Sequence, residues 1–309
     1  MKTQVARMVS RTLALTLGPR RFEALLVRAC SSPHWRRRLR AGAFVHPYTA
    51  ALEGHQPRAA ELPGYRLWVN IREPIGYTHY FYRTHMPPPF LHGLLAEAHS
   101  FFDIGANMGS WTLFAAAAGA RTARVHAFEP NPVNAGLIRR SLQDNGFTDR
   151  VVLDERALSE TTGQHLTFYL STDPQNSGQS SLVNHGHNTD PRHTLEVTTV
   201  TLDDYCAGSG VEEVDFAKID VERAEALVVR GMAGLLARRR IHHLYVELVA
   251  GDEAHCLLRA AGYAGFVADR TAPGRWLPDG QVKEGEFLDL LFVSPDRAAA
   301  FRQRHRLAG

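Results

Sequence analysis

From residue 100 onward, short apolar runs alternate with segments of helical composition, and this alternation restricts the fold more than any other feature of the sequence. The apolar runs that are each followed by a helical segment are SFFDIG, RVHAFE, VDFAKID and HHLYVEL. Strands that alternate with helices form a parallel sheet covered by helices on both faces. Two further runs, GFVADR and FLDLLFV, lie close together near the C-terminus and indicate that the last strand is antiparallel. The sequence therefore predicts an α/β fold.

Composition sets limits on domain number, partners and location. The 309 residues are 44% hydrophobic, which is enough for one large domain with a full core. A formal net charge of +3 gives no general attraction to nucleic acid, so no such partner is expected. Cys30, Cys206 and Cys256 are too scattered for a disulfide framework or a zinc site and suit the cytoplasm. The apolar stretch at 13–17 is too short for a membrane span, and the N-terminal helices could pack on the main domain or form a homodimer.

A glycine-containing turn lies where the first predicted strand meets its helix, in FDIGANMGS at 102–110. Gly105 permits a tight turn and a close approach of a ligand to the backbone. Gly109 precedes the helix, whose first N–H groups point toward the turn. In open α/β sheets, ligands bind at the carboxyl ends of strands near the point where the strand order reverses. The turn is therefore the candidate cofactor site.

The end of the next strand narrows the choice of cofactor. Glu129 closes RVHAFE, and a carboxylate there can accept hydrogen bonds from both ribose hydroxyls. NAD and S-adenosylmethionine both carry such a ribose. The turn lacks the G-x-G-x-x-G spacing that places a pyrophosphate on the helix N-terminus, and Asp103 would repel a pyrophosphate and favour an ammonium group. These features favour S-adenosylmethionine over NAD.

The series FDIGANMG, AFEPNP, RALSETTG, VTLDDY, FAKIDVERAE and VEL, in this order between about residues 65 and 293, resembles the FkbM family of S-adenosylmethionine-dependent methyltransferases. The resemblance implies a Rossmann-like fold with a seven-stranded, mostly parallel sheet whose last strand is antiparallel. It also implies contacts with the donor: the methionine part at Gly105, Asn107 and Gly109, the ribose at Glu129, the adenine near Asn131 and Ala157, and the amino group and methyl near Asp220.

The chemical step requires a group that takes a proton if the nucleophile is a hydroxyl. Asp220 ends VDFAKID, Glu222 follows it, and Glu247 ends HHLYVEL at an equivalent height in the sheet. A buried carboxylate without a partner is costly, so we expect Asp220, Glu222 or Glu247 to supply the base. For Glu222, a favourable interaction with the dipole of the following helix is an equally good explanation.

Three residues are candidates for contact with the acceptor. Asn176 and Ser181 belong to a long polar loop of the kind that often forms a lid or a binding edge. The resembled family commonly has glycine where this chain has Arg223. Either that position is ordinary helix here, or Arg223 reaches into the acceptor pocket and pairs with an acidic group. His185 and His187 have no suitably spaced acidic partners, so no metal is expected.

Together these features predict a helical extension over residues 1–60 and a methyltransferase domain over 61–309. Within that domain we expect a hairpin over 61–90 and the Rossmann-like core over 100–295. The resemblance suggests O-methylation of a hydroxyl on a sugar or natural-product small molecule. The alternatives are an N-methyltransferase of a small molecule or peptide, an NAD-dependent oxidoreductase, and a non-catalytic cofactor-binding module.

Overall fold

The computed structural model describes residues 10, 12–32, 34, 42–173, 175–184, 186, 189–269, 271–272 and 274–307. His185 and His187 lie outside the described residues. Helices α1 (Pro19–Ser31) and α2 (Gly42–Thr49) precede an antiparallel hairpin of strands β1 (Pro57–Leu62) and β2 (Tyr65–Asn70). Helices α3 (Pro74–Tyr82) and α4 (His92–Glu97) follow the hairpin and lead into the main sheet.

The expected hairpin over 61–90 is wrong in its position. The alternation of Tyr65, Leu67 and Val69 does form a strand, but this strand pairs with residues before it, not after it. The aromatic run after Gly76 lies in α3, which begins at Pro74, where the missing N–H of proline costs no helical hydrogen bond. Gly76 is no turn residue; a Cβ added there would lie 1.9 Å from the carbonyl oxygen of Asn70, so glycine allows α3 to pack closely on the end of β2.

The remaining elements alternate as the sequence predicts. The strands are β3 (Ser100–Ile104), β4 (Arg124–Phe128), β5 (Val151–Asp154), β6 (Ala157–Leu158), β7 (His165–Ser171), β8 (Thr189–Val200), β9 (Val214–Ile219), β10 (Ile241–Val249), β11 (Ala264–Ala268), β12 (Trp276–Pro278) and β13 (Phe287–Val293). The helices are α5 (Ser110–Ala118), α6 (Pro132–Asn145), α7 (Leu202–Ser209), α8 (Glu225–Arg230), α9 (Ala233–Ala237), α10 (Glu253–Ala260) and α11 (Pro295–Arg304).

In the described part of the chain, the main sheet has eight strands in the order β12-β11-β13-β10-β9-β3-β4-β5. Strands β5, β4, β3, β9 and β10 run parallel, and β13 is antiparallel to both of its neighbours. The Rossmann-like α/β fold with an antiparallel last strand is therefore confirmed. The expected count of seven strands is one too low, because the short β12 pairs with the edge of β11. Strands β6, β8 and β7 form a separate small sheet.

The strand order reverses between β3 and β9. The chain moves from β3 through β4 to β5 on one side and returns to place β9 on the other side of β3. The carboxyl ends of these two strands therefore open onto a crevice, which is where ligands bind in sheets of this kind.

The sheet separates two apolar layers. Because side chains alternate along a strand, Phe101 and Phe216 point into the layer that contains α5, α6 and the hairpin. Phe102 and Ala217 point into the opposite layer, against α7, α8, α9 and α10. The same alternation places Asp103 and Lys218 in the first layer, directly paired in register between β3 and β9.

Within the described residues, every helix is too short or too polar to cross a bilayer. The division of the chain at residue 60, the cytoplasmic location, a homodimer and the absence of a nucleic-acid partner stay predictions.

Candidate active site

The turn after β3 is tied to the neighbouring strand ends. The N–H groups of Gly105 and Ala106 both donate to the carbonyl oxygen of Phe128, at 3.1 and 3.0 Å. Gly105 has a φ of +78°, and a Cβ there would lie 1.9 Å from the carbonyl oxygen of Asp220. The turn thus requires glycine at this position, for its backbone conformation and for its contact with the end of β9.

Glu129 lies beside this turn with 5% of its surface exposed. Its Oε2 accepts from the N–H of Asn107 at 2.7 Å, and its Oε1 accepts from the N–H of Asn131 at 2.9 Å. Burial raises the pKa of Glu129 to about 7, although both backbone hydrogen bonds act in the opposite direction. Because each carboxylate oxygen has two lone pairs, Glu129 retains acceptor positions for a ligand.

A buried ammonium connects the turn to the end of β9. Lys218 Nζ donates to the carbonyl oxygen of Gly105 at 2.7 Å and lies 3.2 Å from Asp220 Oδ2 and 3.8 Å from Asp103 Oδ1. Burial lowers the pKa of Lys218, but Asp220 and Asp103 outweigh it and the net shift is upward. The sequence analysis did not select Lys218 as a site residue. It could have been found because it shares one face of the strand VDFAKID with Asp220.

Asp103 lies beneath the turn and not beside the ligand crevice, which corrects the expectation for this residue. It is fully buried, because its position in β3 points it at α5, and its Oδ2 accepts from Thr112 Oγ1 at 2.5 Å. Burial raises the pKa of Asp103, while Lys218 and Thr112 act against the shift. Any effect of Asp103 on a cationic ligand would therefore pass through Lys218 and the turn.

Asp220, Glu222 and Glu247 form a carboxylate cluster. One oxygen from each lies within 4.8 Å of the others. Burial raises the pKa of Glu247 to about 9, with further increases from Asp220, and burial with Asp220 and Glu225 raises that of Glu222 to about 7. The structure thus brings together the three residues among which the sequence analysis expects the base, and that role stays a prediction. The cluster is also close enough to hold a metal ion, so the expected absence of a metal stays a prediction.

The backbone after Asp220 is strained. Glu222 and Arg223 have φ angles of +52° and +75°, in the left-handed region that costs a residue with a Cβ about 1–2 kcal/mol. Glu225 stabilises this turn, because its Oε1 accepts from the N–H groups of Val221 at 3.1 Å and Arg223 at 3.2 Å. The expectation of ordinary helix at Arg223 is therefore wrong, because α8 begins only at Glu225. Arg223 is exposed and lies outside the cavity lining, and its expected contact with the acceptor stays a prediction.

These elements enclose a cavity of about 230 Å³ at the carboxyl ends of the strands. It is lined by eight of the residues that the sequence singled out: Gly105, Asn107, Glu129, Ala157, Asn176, Asp220, Glu222 and Glu247. It is also lined by residues that the sequence analysis missed, among them Ile75, Met86, Phe128, Arg156, Phe168 and Ser177. Ile75 and Met86 belong to α3 and the segment after it, and Phe168 to the small sheet, where no quoted motif indicates a site residue.

Three other predicted residues have contacts outside this lining. Gly109 packs against α6, since a Cβ there would lie 2.9 Å from Ile138 Cγ1. Asn131 caps α6, with its Oδ1 accepting from the N–H of Val133 at 3.0 Å. Ser181 Oγ donates to the carbonyl oxygen of Val221 at 3.2 Å. Their expected ligand contacts stay predictions.

Comparison with known proteins relates the chain to methyltransferases. The family model described as the methyltransferase FkbM domain matches residues 103–264, more than half of the chain. The chain is 30% identical over 165 residues to the 31-O-demethyl-FK506 methyltransferase FkbM of Streptomyces tacrolimicus, a match covering 46% of this chain and 62% of that protein. It is 29% identical over 137 residues to the 2-O-methyltransferase NoeI of Sinorhizobium fredii, covering 40% and 53%. Both matches span less than two thirds of the relative's length.

Among solved structures, the crystal structure of a methyltransferase FkbM from Methylobacillus flagellatus has a TM-score of 0.39 and 14% identity. The match covers 87% of this chain and 57% of that chain. The fold assignment rests on the strand order of this chain and not on that score.

The contact between Gly105 and Asp220 gives a first prediction. Gly105→Ala should lower the free energy of unfolding by about 2–4 kcal/mol, because the added Cβ meets backbone and φ is positive. In Gly136→Ala, the control, the Cβ has no neighbour within 4 Å, and alanine within α6 should stabilise by about 0.5–1 kcal/mol. Urea unfolding measures both. Equal stability of the two variants would show that the turn is not packed as described.

The strained turn gives a second prediction. Arg223→Gly should raise the free energy of unfolding by roughly 0.5–1 kcal/mol, because relief of the positive φ exceeds the entropy that glycine adds to the unfolded chain. Arg28→Gly replaces an exposed arginine of α1 and should lower it by about 1 kcal/mol. Thermal and urea unfolding would compare the two variants. A loss of stability in both would contradict the left-handed conformation at Arg223.

Proposed function

The chain belongs to the FkbM methyltransferase family, and from that premise we propose that it is an S-adenosylmethionine-dependent methyltransferase acting on a hydroxyl of a sugar or natural-product small molecule. The observation that carries this proposal is one cavity that holds both the Gly105 turn with Glu129 and the cluster of Asp220, Glu222 and Glu247. The first set is suited to a donor with a ribose and an ammonium group. The second is suited to an acceptor that must lose a proton.

The residues present fit the donor. Asn107 Oδ1 is buried and has no hydrogen-bond partner among the described residues, so it can accept from an ammonium group. Glu129 can accept from the two ribose hydroxyls. Phe128, Ala157 and Phe168 line the same cavity and offer apolar surface for the adenine. Asn107 with Gly105 would thus hold the methionine part, and Glu129 the ribose.

The carboxylate cluster can manage the proton of the acceptor. S-adenosylmethionine supplies a methyl group that is already activated on a sulfonium, so the protein must mainly align the acceptor oxygen and take its proton. Glu222, with a pKa of about 7, is in part ionised at neutral pH and is the best suited base. Glu247, with a pKa of about 9, is protonated there and can donate a hydrogen bond that orients the acceptor. Asp220 stays paired with Lys218.

O-methylation is favoured by the names of both curated relatives, a 31-O-demethyl-FK506 methyltransferase and a 2-O-methyltransferase. One observation favours N-methylation as the second candidate: three clustered carboxylates also suit a cationic amine. The pH dependence of turnover separates the two, since an amine acceptor loses its own proton to solvent and does not require an ionised Glu222.

A third prediction concerns the donor. Calorimetric titration should give micromolar binding of S-adenosylhomocysteine and weaker or no binding of NAD. Glu129→Ala should weaken the binding by about a hundredfold or more, because two hydrogen bonds to a charged group are lost. Since protonation of Glu129 converts one of its two acceptor oxygens into a donor and removes the charge, affinity should fall as the pH drops through about 7. Glu61→Ala, an exposed glutamate of β1, is the control. Binding of NAD alone would overturn the proposed cofactor.

A fourth prediction concerns the base. With an acceptor found by screening hydroxylated natural products, wild-type kcat at saturating donor should rise with pH through about 7 as Glu222 loses its proton. Glu222→Gln should lower kcat by roughly a hundredfold or more and abolish this rise, with donor binding retained. Glu212→Gln, an exposed glutamate, is the control. If the rise persists in Glu222→Gln and is lost in Asp220→Asn or Glu247→Gln, that other carboxylate is the base.

A further inference from the structure

Glu73 is a buried carboxylate outside the cluster, and its hydrogen bonds lead to the cavity. It lies between β2 and α3 with 5% of its surface exposed. Its Oε2 accepts from Ser177 N at 3.1 Å and from Ser177 Oγ at 2.7 Å, and its Oε1 accepts from Asn70 Nδ2 at 2.8 Å. Glu73 occupies the N-cap position of α3 but does not cap that helix with its side chain. Its carboxylate instead accepts hydrogen bonds from Ser177, about a hundred residues later in the chain.

That segment, residues 176–181, is here called the cover segment. Asn176, Ser177, Gly178 and Ser180 line the cavity. Gly178 packs against Asn107, since a Cβ on it would lie 2.8 Å from Asn107 Nδ2. At its other end, Ser181 Oγ donates to the carbonyl oxygen of Val221, next to Asp220. The cover segment therefore forms a wall that touches both the proposed donor residues and the turn that carries the carboxylate cluster.

The cavity is small for the ligands proposed here. Its volume of about 230 Å³ is below the roughly 300–1,000 Å³ of most small-molecule sites. A donor and an acceptor together need more room than the cover segment leaves in this position. Loops that close over a substrate exclude water and complete a site, and their opening often controls the release of product.

The anchor of the cover segment is itself firmly held. Asn70 Oδ1 accepts from the N–H of Gln56 at 3.1 Å, which joins the two strands of the hairpin. Leu67, Val69 and Ile71, on either side of Asn70, are completely buried in the core. Glu73 thus connects a rigid hairpin to a polar loop that has little apolar surface of its own to hold it in place.

We propose that Glu73 is a positioning residue for the donor: it holds the cover segment closed over the cofactor through Ser177 and so sets the rate at which donor and product exchange. This inference rests on the proposed function of the cavity. A carboxylate is required because three donor groups converge on its two oxygens. A glutamine would offer one acceptor oxygen and would turn its NH₂ group toward either Asn70 or Ser177.

The test measures dissociation of S-adenosylhomocysteine from the full chain by stopped-flow displacement. Glu73→Gln should raise the dissociation rate about tenfold or more, and Ser177→Ala, which removes only the hydroxyl contact, about threefold to tenfold. The KM for the donor should rise with it, while kcat at saturating donor changes much less. Glu61→Gln, which alters an exposed glutamate of the same hairpin, should leave the rate unchanged.

Amide hydrogen exchange of residues 176–181 gives a readout that does not depend on the donor. In Glu73→Gln, exchange in the cover segment should accelerate while the strands of the main sheet stay protected. Dissociation and exchange at the wild-type rates in Glu73→Gln and Ser177→Ala would overturn the inference. If Glu73→Gln fails to fold, the two rates in Ser177→Ala decide. If the wild type does not bind the donor product, the proposed function fails, and the exchange measurement still supports or overturns the anchoring by Glu73.

Discussion

The site depends on one buried ammonium. Lys218 contacts the carbonyl oxygen of Gly105, the carboxylate of Asp220 and, more distantly, that of Asp103, so it joins the turn after β3 to the end of β9. Three of the 35 basic residues in this chain are lysines, and Lys218 is one of them. A compact ammonium can face three acceptors in a narrow space between two paired strands, whereas the planar guanidinium of arginine requires a wider, forked arrangement of partners. Burial raises the pKa of Asp103, and the ammonium of Lys218 beside it acts against that shift.

Within the carboxylate cluster, Lys218 forms its ion pair with Asp220. Burial raises the pKa of Glu222 and Glu247, and the nearby Asp220 adds to both shifts, because three negative charges cannot be held this close together at low cost. The cluster therefore contains carboxyl groups in different protonation states near neutral pH, which is what acid–base chemistry at one oxygen atom requires. The left-handed backbone at Glu222 and Arg223 lies next to this cluster. It turns the chain directly after Asp220, and Glu225 satisfies the N–H groups that this turn leaves without helical partners.

Several residues at the cavity come from segments outside the main sheet. The segment after the hairpin contributes Glu73, Ile75 and Met86, while the small sheet contributes Phe168 and leads into the cover segment. The cover segment itself is held mostly by hydrogen bonds between polar groups, not by large buried apolar surfaces. Segments held in this way open at a lower free-energy cost than the strands of the core. A rigid floor of strand ends and a more weakly held wall are suited to a site that must release a product.

The sequence by itself determined the α/β fold, the antiparallel last strand and the positions of the turn, Glu129 and the three candidate carboxylates. Local patterns carry this information, because the period of apolar residues identifies strands and helices, and the ends of adjacent parallel strands must meet at one edge of a sheet. The sequence did not determine that the aromatic run after Gly76 is helical, that Asp103 is buried beneath the turn, that Arg223 is left-handed and exposed, or that Glu73 contacts Ser177. Each of these depends on which distant segments come together: a close approach of α3 to β2, the register of β3 against β9, and a hydrogen bond across about a hundred residues. Such contacts are decided by packing in three dimensions, and no local pattern of residues records them.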